Sequence, residues 1–214
     1  MRTARNMVAL AAALALCAAS ASYRSSLALE PAPFPGPDIP AILLHVNPVQ
    51  KSQANSCGEA AITMAYNYAY PAQPVSELKV IRYGIAHSLY TPHRVPFTSP
   101  ASMSAIALHF ADSVDEGKAS SEQDALATLE DQLDAGRPVV IDVTTVLSDN
   151  SSGAHFVLVI GYATDLQSGM TLITFNNPLT GQQQAANWPT IWSAWQNNGD
   201  PGGRGWWLVI PAGS

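Results

Sequence analysis

The 214-residue chain has few charged residues and very few basic ones. Only 12% of its residues are charged, ten Lys and Arg against sixteen Asp and Glu, so the formal net charge is −6. A protein that binds the phosphate backbone of nucleic acids needs a basic patch, and the sequence contains no run of Lys and Arg. Hydrophobic residues make up 47% of the chain, enough for a buried core. The composition predicts a folded protein that does not bind nucleic acid.

The sequence also lacks the motifs of common metal and nucleotide enzymes. It has no His-Glu-x-x-His motif, no paired Cys-x-x-Cys motif and no Gly-x-x-x-x-Gly-Lys-Ser/Thr loop. Its apolar runs are shorter than the roughly 20 residues that a helix needs to cross a bilayer. We therefore expect no metal, no cofactor, no ATP-driven export and no stable membrane span.

The N-terminus has the pattern of an export signal. Arg2 and Arg5 precede an apolar run from Met7 to Ala19, and residues 19–21 (Ala-Ser-Ala) fit the small-residue cleavage rule. We predict that residues 1–21 are a signal peptide and that the mature protein is periplasmic or secreted. A lipid anchor at Cys17 is the alternative.

The remaining chain divides into a short lead-in and one domain. Residues 22–41 carry five prolines, which favour an extended segment, and residues 42–214 show no repeat and no second linker. Signal cleavage would remove Cys17 and leave Cys57 as the lone cysteine. In an oxidising compartment, a lone cysteine is buried and inert, paired between chains, or reactive.

Helical signals fill the first half of the domain. Apolar residues recur at helical spacing, and serines precede each stretch as candidate caps. The signals predict helices from Cys57 to about Tyr68 after Ser56, from Ser76 to about His87, from Pro100 after Ser99, and from a Ser120–Gln123 capping box to Gly136.

The second half has the pattern of β-strands. β-Branched and aromatic runs between turn residues predict strands over 139–145, 155–162, 171–176 and 206–210, with a short helix over 187–196. Asp142, within the first of these strands, is expected to face solvent or to make a local hydrogen bond. Helices followed by an antiparallel sheet indicate an α+β fold.

Three residues form a candidate catalytic group. Cys57 lies in the first turn of its helix, where the helix dipole favours a thiolate. His155 opens a strand after a flexible loop, a position from which it can act as a base or as the imidazolium partner of a thiolate. If the next strand pairs with it, Asn177 at that strand's end comes close enough to orient the imidazole ring. Taken singly, each residue has an ordinary structural interpretation: a core cysteine, a strand histidine and a turn asparagine.

The order Cys…His…Asn resembles that of papain-like cysteine peptidases. More closely, the chain is similar to the bacteriocin-processing (double-glycine) peptidase-like branch, on the stretches SCGEAAITMAYNY, GRPVVIDVTT, GAHFVLVIGY and ITFNNPLTG. The resemblance covers roughly Val46 to Gly181. It implies a papain-like α+β fold, with N-terminal helices that carry the cysteine packed on a sheet that carries His and Asn.

The resemblance also implies an oxyanion donor before the cysteine. In that family a glutamine side chain and the cysteine's own N–H hold the oxyanion. Gln50 lies seven residues before Cys57 and Gln53 lies four before it, and neither spacing is the family's usual one. Gln50 is the preferred candidate because its flanking residues also match.

The expected activity is hydrolysis of peptide bonds in a peptide or protein substrate. Cys57 would attack the carbonyl, His155 would transfer the proton, and a thioester acyl-enzyme would form. Two alternatives remain open: an inactive binding module that keeps the fold, and an amidase or transpeptidase that uses the same residues. The sequence does not indicate an oligomeric state.

Overall fold

The computed structural model of the chain describes residues 41–94 and 97–213. The predicted signal peptide and almost all of the predicted Pro-rich segment lie outside these ranges, so both stay predictions, as does the domain boundary at residue 42. Within the described ranges, no helix combines the length and the apolar character that crossing a membrane requires.

The described residues form five helices and seven strands. In chain order they are β1 (Ala41–Leu43), α1 (Cys57–Ala69), α2 (Glu77–Ala86), α3 (Pro100–Phe110), β2 (Asp115–Lys118), α4 (Glu122–Asp134), β3 (Val139–Val143), β4 (His155–Asp165), β5 (Met170–Asn177), β6 (Gln182–Asn187), α5 (Trp188–Gln196) and β7 (Trp206–Val209). The predicted α+β class is confirmed.

All seven strands belong to one antiparallel sheet. The strand order is β2-β7-β3-β4-β5-β6, and β1 pairs with the second half of β4. Strand β4 thus has β5 on one side, and β3 followed by β1 on the other. This topology brings the start of β4 close to the end of β5.

Helices cover both faces of the sheet. Val140, Leu158 and Leu208 pack in one apolar cluster with residues of α1, α2 and α3. Their strand neighbours Val139 and Val159 pack in a second cluster with residues of α4 and α5. Alternate strand residues point to opposite faces, so the apolar runs seen in the sequence fill both layers.

Capping signals in the sequence predicted most helix starts correctly. Several N-cap side chains accept a hydrogen bond from the backbone N–H three residues later. These N-caps include Ser76, Ser99 and Asn187. Helix α4 differs by one residue from its prediction. Its N-cap is Ser121, whose hydroxyl accepts from the Asp124 N–H, while the Ser120 N–H donates to the Asp124 carboxylate at 2.7 Å.

Three strands were not predicted as strands. Strand β2 (DEGK) and strand β6 (QQQAAN) contain no β-branched residue and form the two ends of the strand order. Strand β1 is only three residues long and follows the proline-rich stretch. Sheet edges need fewer apolar side chains than the centre, which is why periodicity did not reveal β2 and β6.

Candidate active site

Cys57 is the first residue of α1. The preceding Ser56 is fully buried, but its hydroxyl donates to the Glu77 carboxylate at 2.7 Å and gives the helix no side-chain cap. The thiol therefore lies at a helix end whose first N–H groups receive nothing from the cap residue, and there the partial positive charge of the helix is greatest. Cys57 is a free, half-buried cysteine.

The residue after Cys57 allows close packing against the sheet. A Cβ at Gly58 would lie 2.5 Å from the Met103 sulfur and 3.3 Å from the Phe156 ring. Without a side chain there, α1 packs directly onto the start of β4. The backbone N–H of Phe156 in turn donates to the Cys57 sulfur, so the sulfur lies beside the residue that follows His155.

His155 is the first residue of β4 and only 4% exposed. Its backbone N–H donates to Oδ1 of Asp142 in β3 at 3.1 Å. Of the two environments expected for Asp142, the structure shows the local hydrogen bond; the residue does not face solvent, since it is 0% exposed. The carboxylate of Asp142 packs against Gly203 in the loop between α5 and β7, where there is no room for a side chain. Burial, and secondarily the charge of Asp200, raises the pKa of Asp142 well above its ordinary value.

Asn177, the last residue of β5, contacts the His155 ring. The distance between Nε2 of His155 and Oδ1 of Asn177 is 2.8 Å. The same Oδ1 accepts from the Leu179 N–H at 2.9 Å, and Nδ2 of Asn177 donates to Oε1 of Gln184 at 2.8 Å. The amide is thereby fixed with its oxygen toward the imidazole.

This orientation determines the histidine tautomer. An amide oxygen only accepts hydrogen bonds, so Nε2 of His155 carries the hydrogen that it donates to Asn177. In the neutral ring, Nδ1 is then the nitrogen with the free lone pair. The sheet therefore holds His155 in the form in which Nδ1 can take a proton.

Cys57 and His155 line the same cleft, which has a volume of about 580 Å³. One wall comes from the α1 side, with Lys51, Asn55 and Gly58, and another from the loops around Gly153 and Gly199. The Gly199 N–H donates to the Gly153 carbonyl at 2.9 Å, which ties the two loops together. The cleft is large enough for several residues of an extended peptide.

Burial acts against charge on both Cys57 and His155. It raises the pKa of Cys57 to about 11, an effect that exceeds the opposing hydrogen bond from Phe156. It also lowers the pKa of His155 to about 4, against the raising effect of the Asn177 contact. At neutral pH the pair is therefore a neutral thiol and a neutral imidazole. Desolvation, the largest cause of the raised Cys57 pKa, thus opposes the thiolate that a helix start favours.

Two further carboxylates lie on the helix side of the cleft. Glu59, in the first turn of α1, is 0% exposed and accepts from the Thr98 hydroxyl at 2.6 Å. Burial raises the pKa of Glu59 to about 7. Its Oε2, like the hydroxyl of Tyr90, has no hydrogen-bond partner among the described residues. Glu77 binds both ends of the loop before α1, through the Ser52 N–H and the Ser56 hydroxyl.

The two glutamines predicted as oxyanion donors are not brought to the cleft with Cys57, His155 and Asn177. Gln50 is exposed and lies against Gly181 in the β5–β6 turn, where a Cβ would come within 2.6 Å of the Gln50 Cβ. Gln53 is also exposed, and its backbone N–H and carbonyl bond with Ser56. The cleft lining includes neither of them.

Sequence reasoning missed Gln184, Glu59 and Glu77. Gln184 lies in a strand with no apolar alternation, so the sequence gave no reason to place it near Asn177. The two glutamates are ordinary first-turn acids of α1 and α2, a pattern that normally indicates solvent-exposed helix starts. Only the packing of α1 against α2 and α3 buries them.

Comparison with known families agrees with this geometry. The profile of the Peptidase_C39 like family matches residues 43–202, which include all of the residues named above at the site. No curated protein matches the chain. The cysteine at a helix start, the histidine on a strand of an antiparallel sheet and the family match lead to one conclusion: the chain belongs to the Peptidase_C39 like family of papain-like cysteine peptidases.

Proposed function

We propose that the protein hydrolyses peptide bonds through Cys57, His155 and Asn177. The contact between Nε2 of His155 and Oδ1 of Asn177 at 2.8 Å carries the proposal, because it leaves Nδ1 as a base in the cleft that also holds the thiol. In this assignment Cys57 is the nucleophile, His155 is the general base and acid, and Asn177 is a positioning residue.

The first half-reaction forms an acyl-enzyme. The Cys57 thiol gives its proton to Nδ1 of His155 as the sulfur bonds to the substrate carbonyl carbon. The resulting oxyanion accepts from the backbone N–H of Cys57 at the start of α1. His155 then returns the proton to the amine nitrogen, the C–N bond breaks, and a thioester remains on Cys57.

The second half-reaction regenerates the enzyme. A water molecule gives a proton to His155 and bonds to the thioester carbon. The C–S bond then breaks, the carboxylic acid leaves and Cys57 recovers its proton. Because the resting pair is neutral, proton transfer accompanies the attack on the carbonyl.

A labelling and turnover experiment tests the function. The wild-type protein is mixed with a peptide library and with a peptidyl thiol-directed probe, and His155→Ala and Cys57→Ala serve as comparisons. We expect peptide cleavage that both substitutions reduce by at least about 10⁴-fold. Probe attachment to Cys57 without any cleavage would instead favour a binding module, and transfer to added amines would favour a transpeptidase.

We further propose that the protein is exported. The basic, apolar and small-residue pattern of residues 1–21 supports this. N-terminal sequencing of the protein recovered from the periplasm or medium of an expressing bacterium should give a mature chain that begins at Ser22. An intact N-terminus in the cytoplasmic fraction would contradict the proposal.

A further inference from the structure

Lys51 is a cleft residue to which no role has been assigned so far. It lies six residues before Cys57 and lines the same cleft as Cys57 and His155. Its side-chain nitrogen donates to the carbonyl of Ala54, which also lines the cleft. Within the described part of the chain, it is the only lysine or arginine in that lining.

The backbone holds Lys51 in place on both sides. Its own N–H donates to the Pro178 carbonyl at 2.9 Å, directly after Asn177. The next residue, Ser52, donates its N–H to the Glu77 carboxylate at 2.9 Å, and the same carboxylate receives the hydroxyl of Ser56. The loop between Lys51 and Cys57 is therefore closed by one carboxylate, which limits how far the ammonium group can move from the start of α1.

The charge of Lys51 reaches both reacting groups. Its positive charge lowers the pKa of Cys57 and the pKa of His155, in each case as a smaller contribution than burial. Glu59 and Asp142 act on Cys57 in the opposite direction. The charge of Lys51 thus favours the thiolate, and the charges of these two carboxylates oppose it.

We propose that the Lys51 ammonium group is the side-chain donor to the oxyanion formed when Cys57 attacks a carbonyl. An ammonium group has three donors, and Ala54 takes one, so donors remain for an oxyanion. A charged donor also binds an oxyanion more strongly than a neutral amide does. The inference rests on the proposed acyl chemistry, and it assigns to Lys51 the role that the sequence predicted for Gln50.

Two reactions of Cys57 separate this role from a general effect on the thiol. Acylation by p-nitrophenyl acetate passes through an oxyanion, whereas alkylation by iodoacetamide displaces iodide and forms no oxyanion. In both reactions Cys57 loses its proton as the sulfur attacks, so a change in thiol pKa affects both rates in the same direction and largely cancels in their ratio. The ratio therefore reports mainly oxyanion stabilisation.

The variants are Lys51→Met, which removes the donor, and Lys51→Gln, which keeps a neutral one. Lys118→Met, on the exposed edge strand β2, is the matched control. We expect Lys51→Met to lower the acylation-to-alkylation ratio by about 100- to 1000-fold, the usual effect of losing an oxyanion donor. Lys51→Gln should fall between wild type and Lys51→Met, and the control should keep the wild-type ratio. Circular dichroism checks that each variant is folded.

Three results would overturn the inference. Equal losses in both reactions would show that Lys51 acts only on thiol ionisation. An unchanged ratio would show no contact with the oxyanion. A ratio that falls in Gln50→Ala but not in Lys51→Met would return the role to the glutamine. If the wild-type ratio depends on Lys51 while no peptide is cleaved, the peptidase proposal fails and the Lys51 assignment stands.

Discussion

The two sides of the cleft hold their functional groups by different means. On the helix side, two carboxylates belong to the start of α1: Glu77 closes the loop before Cys57 and Glu59 lies buried in the first turn. On the sheet side, neutral amides hold the His155 ring, through Asn177 and Gln184, and the carboxylate of Asp142 accepts only its backbone N–H. Buried charges act over several ångströms, whereas amides act only through contact. Changes on the helix side should therefore alter protonation, and changes on the sheet side should alter ring orientation.

Among the residues that hold Cys57 and His155 in place, the largest effect is expected on the sheet side, at Asn177. In Asn177→Ala the His155 ring loses the acceptor that fixes its tautomer, and we expect ester acylation of Cys57 to slow by about 100-fold. Overall stability should change little in a urea titration. Asn150→Ala, on an exposed loop, is the control. A loss below threefold would show that the ring is oriented without Asn177.

The next effect is expected on the helix side, at Glu77. Glu77→Ala removes the acceptor for the buried Ser56 hydroxyl and the Ser52 N–H, so the free energy of unfolding should fall by about 3 kcal/mol. Acylation should slow by about tenfold because the loop between Lys51 and Cys57 loses its anchor. Urea unfolding and ester kinetics measure the two effects. Glu122→Ala, exposed on α4, should show neither; an unaffected Glu77→Ala would mean that the loop is held by other contacts.

Glu59 should change the pH dependence of stability. Its pKa is about 7 in the folded state and close to 4.5 when unfolded, so the folded state keeps a proton that the unfolded chain loses between these values. Below pH 4.5 the ionisation of Glu59 costs the folded state nothing. As the pH rises from 4.5 to 7, the free energy of unfolding falls by about 3 kcal/mol. Glu59→Gln lacks this fall, so it should gain about that much over wild type between pH 4.5 and 7.5.

Glu59→Gln also tests whether the helix side of the cleft controls the protonation of Cys57. Since the charge of Glu59 raises the pKa of Cys57, Glu59→Gln should lower it and speed alkylation by iodoacetamide at pH 8. Urea titrations at several pH values and alkylation rates give both readouts, with Glu122→Gln as control. A pH-independent difference between wild type and Glu59→Gln would contradict the buried ionisation.

The smallest effect is expected at Gln184. Gln184→Ala removes the partner of the Asn177 Nδ2, but the Leu179 N–H still holds Oδ1, so we expect acylation to slow only about threefold. Gln183→Ala, the exposed neighbour on the same strand, is the matched control. A loss as large as that of Asn177→Ala would mean that Gln184 alone sets the amide orientation.

Local signals explain what the sequence could predict. The start of α1 at Cys57, the start of β4 at His155 and the end of β5 near Asn177 depend on caps, turn residues and strand periodicity within a few residues. The closeness of His155 and Asn177 followed from pairing two neighbouring strands, the simplest sheet topology.

The features that were missed depend on distant parts of the chain. Asp142 is buried because Gly203, about 60 residues later in the loop before β7, packs against its carboxylate. Glu59 is buried because α2 and α3 pack over α1, and Lys51 reaches the cleft because Pro178 and Glu77 hold its loop. None of these contacts has a signature in the neighbouring residues.

Strand β4 has hydrogen-bonded neighbours on both sides along nearly its whole length, since β1 continues beside it where β3 stops. The sharp approach of β1 requires Gly161, where a Cβ would lie 2.4 Å from the Ile42 carbonyl. Backbone amides of such a central strand exchange with deuterium last, and those of a loop tied by side chains exchange early. Local unfolding of the loop before α1 should thus separate the Cys57 thiol from the His155 imidazole while β4 stays folded. Activity should therefore be lost before the protein unfolds.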